Sequence, residues 1–152
     1  MVVSSVHIVS DSIAGPQMID IFQTNLETLG AKKSGNFLIE CDTYHSNPAR
    51  IEVRGQKWLL GDFVCKLGSC TMGGSFKAIV TEIEYGPCSV PNACWDLIKE
   101  LGRSFIGPSI NKPNQHLLAR MNELYSPVDT IHQYNDIFNQ IKKQTPQGNI
   151  TM

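Results

Sequence analysis

Between Gly61 and Cys88 the chain reads GDFVCKLGSCTMGGSFKAIVTEIEYGPC, and no other stretch restricts the fold as strongly. Phe63, Cys65 and Leu67 alternate with Val64, Lys66 and Gly68. Further on, Ile79, Thr81, Ile83 and Tyr85 alternate with Ala78, Val80, Glu82 and Glu84. Successive strand residues point to opposite faces, so a period of two on both sides of Met72-Gly73-Gly74-Ser75 predicts a hairpin in a half-buried sheet. The Gly-Gly pair supplies the positive φ that a tight hairpin needs. Gly86-Pro87 ends the second strand.

The flanking chain is read from this hairpin outward. Val2–Val9 is a β-branched apolar run, a first strand, and Asp11–Gly15 a loop. Pro16 opens a helix, and Met18, Ile21, Phe22, Leu26 and Leu29 recur at helical spacing as its buried stripe, with Gly30 as its stop. Phe37–Tyr44 alternates as a second strand. A polar loop at His45–Arg50, containing Asn47-Pro48, leads to a third strand, Ile51–Leu60, in which Gly55 suggests a bulge or bend. Gly61-Asp62 is either a turn or a kink. Pro91–Ile106 is a helix whose apolar residues, including Trp95, Leu97, Ile98, Leu101 and Phe105, suit packing on a sheet. Ser109–Tyr125 is polar, with a helical turn over Gln115–Glu123. The last helix, 127–143, has Ser126 as N-cap, Pro127 at its first position and Asp129 in its first turn. Its stripe is Val128, Ile131, Tyr134, Ile137, Phe138 and Ile141, and Lys142 and Lys143 complement its C-terminal end.

One strand and one helix, then several antiparallel strands, then helices, is an α+β pattern. The fold class expected is an incomplete, barrel-like antiparallel sheet flanked by helices near 16–29, 91–106 and 127–143. With 152 residues, one domain over 1–145 and a frayed tail over 146–152 are expected. A net charge of −1 and 41% hydrophobic residues exclude compositional disorder and a basic footprint for nucleic acid. No apolar run approaches membrane-spanning length. Five cysteines without CxxC spacing, behind a start that lacks signal-peptide features, point to a reducing intracellular compartment. Cys41, Cys65 and Cys88 sit in strand-like runs, where a thiol acts as a small apolar side chain.

Chemistry is sparse. Glu82 and Glu84 lie two apart on one strand, and Glu40 and Asp42 repeat that spacing on another. If the two pairs faced each other inside a barrel they could hold Mg²⁺ or Mn²⁺, with Lys57, Lys66 and Lys77 meeting phosphates: a metal-dependent phosphohydrolase. The simpler reading is charge alternating on a solvated sheet face. His7, His45, His116 and His132 form no ligand or catalytic pattern and read as polar surface or local hydrogen bonding. There is no GxSxG turn and no phosphate-binding loop. Trp95 and Phe105 suit the core better than a partner's pocket, and the last helix could dock either internally or in a partner's groove.

Several runs are long enough to be specific. They are ECDTYH (Glu40–His45), IEVRG (Ile51–Gly55), the pattern DFxxKxGxxTMG from Asp62 to Gly73, EIEYGPC (Glu82–Cys88) and Cys94-Trp95. Ser104-Phe105 with Gly107, the segment Leu29-Gly30-Ala31-Lys32, and the last helix from Pro127 through Gln133-Tyr134 to Ile141–Gln144 continue the series. Taken in order over most of the chain, they resemble the family of Mediator complex subunit 20, in the head module of the RNA polymerase II Mediator. The resemblance implies a closed antiparallel barrel flanked by helices and a non-catalytic nuclear subunit with no cofactor, catalytic residue or metal. Implied partners are other Mediator subunits, chiefly subunit 18 and through it subunit 8, with RNA polymerase II reached indirectly and no direct contact with nucleic acid or membrane. It leaves the partner-binding residues unassigned.

One departure stands out. Family members carry additional strands and a helix between the segments matching ECDTYH and IEVRG, where this chain has only Ser46–Arg50. A block after about residue 46 is thus missing, and a sheet with open edges is expected. The family is also related in fold to β-tunnel triphosphatases, which use an ExExK strand motif. Here the position two beyond Glu84 is Gly86, so the motif fails.

Overall fold

The computed structural model describes residues 2–10, 17–42, 50–108 and 110–144. The elements are β1 (Val3–Ser10), α1 (Met18–Thr28), β2 (Lys32–Asp42), β3 (Arg50–Leu60), β4 (Phe63–Met72), β5 (Ser75–Tyr85), α2 (Pro91–Phe105), α3 (Gln115–Ala119) and α4 (Pro127–Gln144). The strands form one antiparallel sheet in the order β1-β5-β4-β3-β2. Among the described residues the sheet is not closed, and β1 and β2 are its edges.

Helices cover both faces. On one, Val3, Val9, Trp58, Cys65, Leu67, Ile79 and Ile83 pack with Phe22 and Leu26 of α1 and with Trp95, Ile98 and Phe105 of α2. On the other, Val6, Ile51, Val53, Cys70 and Val80 lie under Tyr134, Ile137, Phe138 and Ile141 of α4. Burying each of these large side chains contributes about 1.5–3 kcal/mol, enough to hold helices whose own propensity would not. The last helix therefore docks internally, and Trp95 and Phe105 belong to the core.

The central hairpin is as the sequence predicts: Gly73 and Gly74 have φ of +60° and +85° and join Met72 to Ser75. Gly61-Asp62 is a turn, not a kink, since Leu60 pairs directly with Phe63. Gly55 is not a bulge. It pairs in register with Phe37 on one side and Gly68 on the other. A Cβ on Gly55 would collide with Leu67 O, and one on Gly68 would lie 2.7 Å from Arg54 O and 3.0 Å from Phe37 Cζ. The two glycines let β3 and β4 approach closely beneath the Phe37 ring. Register shifts fall instead at Lys33/Gly35 and Cys70/Thr71.

Other expectations are corrected by tertiary context. β2 begins at Lys32 rather than Phe37, because pairing with β3 draws the polar run KKSGN into the sheet. Ile21 and Leu29 of α1, Leu97 of α2, and Val128 and Ile131 of α4 are exposed, so each apolar stripe is narrower than its spacing suggests. The helical turn of the linker is only Gln115–Ala119, opened by Asn114, whose side chain accepts from Leu117 N–H. Ser126 does not cap through its hydroxyl. Asp129 accepts from the Ser126 N–H at 2.9 Å, which is the reverse arm of a capping box. The loops expected at 11–15 and 45–49, Pro16, His45, the tail from 145 and the side chains of Cys41, Asp42 and Lys143 lie outside the described residues.

Candidate functional site

β5 alternates, so Ala78, Val80, Glu82 and Glu84 share the face that α4 covers. Glu82 is not on a solvated face, contrary to the simpler reading of the carboxylate pair: it is 3% exposed. Tyr134 of α4 donates its hydroxyl to Glu82 Oε1 at 2.7 Å, and Lys66, directly opposite on β4, brings Nζ to 3.5 Å of the same oxygen. A buried carboxylate is tolerable only with such partners. Burial, with Glu82 beside it, raises the Tyr134 pKa far above the ordinary phenol value. Glu84 is half-buried on the same pleat.

The second pair does not complete a metal centre. Glu40 is opposite Glu52, and that row lies on the other pleat from the row of Lys57, Lys66 and Glu82. Arg50 answers it there, with Nη1 at 3.3 Å from Glu40 and 3.8 Å from Glu52. Asp42 pairs with Arg50 in register. Lys57 and Lys66 are direct neighbours, but Lys77 sits at the far end of β5, where the register shifts. Among the described residues no three His, Cys, Asp or Glu side chains could share a metal ion.

Between α4 and the β2 side of the sheet runs a groove of about 370 Å³, lined by Ile39, Lys66, Glu82, Ile131, Tyr134 and Phe138. Glu40 borders it from the edge strand. α4 covers the β1 side of its face and leaves this side open, with Ile131 58% exposed at the margin. Its wall is apolar, and the Glu82 carboxyl group lies buried at its floor.

A polar network that the sequence reading missed closes the opposite edge. Gln133 of α4 accepts from Val6 N–H at 2.9 Å and donates to Ser4 O at 3.0 Å. Asn114 donates to Val6 O at 3.0 Å and to Gln133 Oε1. Two amide side chains thus stand where a neighbouring strand's backbone would, and they satisfy Ser4 O and both backbone groups of Val6 on the β1 edge. Gln133 also donates to Tyr125 Oη at 2.8 Å. Nearby, Asp129 Oδ1 lies 2.9 Å from both His116 Nε2 and Arg120 Nε. Burial alone would raise the Asp129 pKa, but the His116 and Ser126 hydrogen bonds and the Arg120 charge outweigh it and lower it. His116 stacks on His132 at 5.0 Å. The only sequence signal for this cluster was the spacing of Ser126 and Asp129, because the other members meet only in the fold.

The remaining candidates are structural. His7 is not polar surface. It hydrogen-bonds Ser5 Oγ at 2.6 Å beside the Trp95 ring, and burial lowers its pKa to about 4. Cys65, Cys70 and Cys94 are buried, and burial raises their thiols to about 12, which suits core packing and not nucleophilic chemistry.

Comparison with known proteins identifies the family. The Anopheles gambiae "Mediator of RNA polymerase II transcription subunit 20" is 30% identical over 200 residues, covering 87% of this chain and 90% of the relative. The human protein of that name is 28% identical over 185 residues, covering 84% and 87%. Both matched spans exceed the 152 residues of this chain, so the relatives carry internal residues that it lacks. A family profile matches twice, over 1–59 and over 49–139, and the two matches overlap just beyond the point, after about residue 46, where the sequence places the missing block. With nearly the whole chain matched in order, the protein belongs to the family described as the TATA-binding related factor (TRF) of subunit 20 of the Mediator complex.

Proposed function

We propose that this chain acts as a non-catalytic component of the Mediator head module, in the nucleus, in regulated transcription by RNA polymerase II. The observation that carries the reading is the family match over most of the chain. In this reading it contacts other Mediator subunits, chiefly subunit 18 and through it subunit 8, and serves as a coregulator bridging activators and polymerase. It has no cofactor and touches neither nucleic acid nor membrane directly. The groove beside α4, with exposed Val128 and Ile131 at that end of the helix, is the surface best suited to a partner. A triphosphatase would need Glu40 and Asp42 to face Glu82 and Glu84, and the register separates Glu40 from Glu82.

The test is co-purification of subunit 18 with this chain and, in parallel, with a full-length relative. Capture by both is expected. Failure of both would overturn the assignment. Mg²⁺- or Mn²⁺-dependent release of phosphate from nucleoside triphosphates, abolished by Glu82→Ala with Glu84→Ala, would overturn the non-catalytic reading.

A further inference from the structure

The two edges of the sheet are treated unequally. β1 is plugged by the Gln133 and Asn114 amides. β2, eleven residues long, has no strand beyond it among the described residues. Proteins guard such an edge with a bulge, a proline or inward charge, because its free N–H and C=O groups template further pairing. Here the central part is regular, its Phe37-Leu38-Ile39 run is apolar, Leu38 is 48% exposed, and an open depression of about 540 Å³ runs beside Asn36, Phe37 and Leu38.

We propose that β2 pairs with β2 of a second copy of this chain, antiparallel about a two-fold axis through Phe37, giving one continuous sheet across the dimer. The charge order of the strand is the reason to choose a second copy over another partner. β2 begins with Lys32 and Lys33 and ends with Glu40 and Asp42, so an antiparallel copy sets each basic end against an acidic end. A two-fold axis normal to the sheet preserves its faces, and only a register with one residue opposite itself keeps the pleats aligned. With Phe37 on the axis, Leu38 meets the copy's Asn36 and Ile39 meets its Gly35.

The bulge then completes the match. It skips Ser34 and puts Lys33, opposite Trp58, on the pleat that carries Glu40, opposite Glu52. Lys33 of each copy falls directly across from Glu40 of the other. Both side chains are exposed in the single chain. The interface is isologous, as two-fold symmetry requires.

The test is sedimentation equilibrium of the whole purified chain, without any Mediator subunit, up to about 100 μM. A reversible dimer is expected. Lys33→Glu and Glu40→Lys, each placing like charges across the axis twice, are expected to weaken association at least tenfold. The double swap, Lys33→Glu with Glu40→Lys, is expected to restore most of it, which misfolding of a single variant would not allow. A wild-type chain that stays monomeric overturns the proposal, as does a dimer indifferent to all three variants. A monomer whose β2 is protected from hydrogen exchange only by another Mediator subunit also overturns it, and assigns the edge to that subunit. None of these outcomes bears on membership of Mediator, so this proposal and the proposed function fail separately.

Discussion

The Tyr134 hydroxyl meets the Glu82 carboxylate at 2.7 Å, tying α4 to β5 through a carboxylate that is 3% exposed. Tyr134→Phe leaves Glu82 buried with Lys66 as its one remaining partner among the described residues. The variant leaves a buried carboxyl oxygen short of a donor, so a loss of about 1–3 kcal/mol is expected. Urea unfolding measures it, and a loss below about 0.5 kcal/mol would show that Glu82 is already satisfied without the tyrosine.

Alkaline pH should destabilise the fold through two tyrosines. Burial raises Tyr125 to about 12 and, with Glu82, raises Tyr134 further. Both folded values lie above the unfolded value near 10, so their contribution is complete below about pH 10 and is lost as pH rises beyond it. Unfolding free energy measured from pH 8 to 11.5 should fall above pH 10, and Tyr134→Phe should make the fall shallower.

His7 has the opposite sign. Its folded pKa of about 4 lies below the unfolded 6.5, so its stabilisation is complete above about pH 6.5 and is lost as pH falls towards 4. The side chain is half-buried, so the loss is at most about 3 kcal/mol. His7→Gln should flatten the stability profile between pH 6.5 and 4. An unchanged slope would show that His7 charges freely in the folded state.

The glycine pair under Phe37 can be tested directly. Gly68→Ala places a Cβ 2.7 Å from Arg54 O, a backbone atom that cannot rotate away. The cost expected is about 1–3 kcal/mol, and the denaturation midpoint should drop with little change in slope.

The missing internal block makes a comparative prediction. With an open β2 edge, this chain should melt at a lower temperature and less cooperatively than a full-length relative such as the human protein. Equal midpoints and equal cooperativity would mean that the block contributes nothing to the stability of the sheet.

The central hairpin shows how much was legible in the chain itself. A period of two needs no distant partner to be recognised, so Phe63–Leu67, Ile79–Tyr85 and the Gly73-Gly74 turn were readable locally. The spans of α2 and α4 and most of their apolar stripes were readable for the same reason, and the runs around EYGPC carried the family resemblance. Long-range order was not readable. Glu82 and Glu84 have the pattern of a solvated strand face, and only the position of α4 over β5 buries Glu82 and supplies Tyr134. The separation of Glu40 from Glu82 depends on pairing across four strands, and a shift of one residue would have reversed it. Gln133 and Asn114 guard the β1 edge from 127 and 108 residues away, a contact that no local pattern encodes. Which segments are strands and helices, and which family they belong to, follow from the chain alone, because those rest on local periodicity and ordered motifs. The tertiary structure decided which carboxylate is buried and which edge is closed, because both are set by what packs across the sheet.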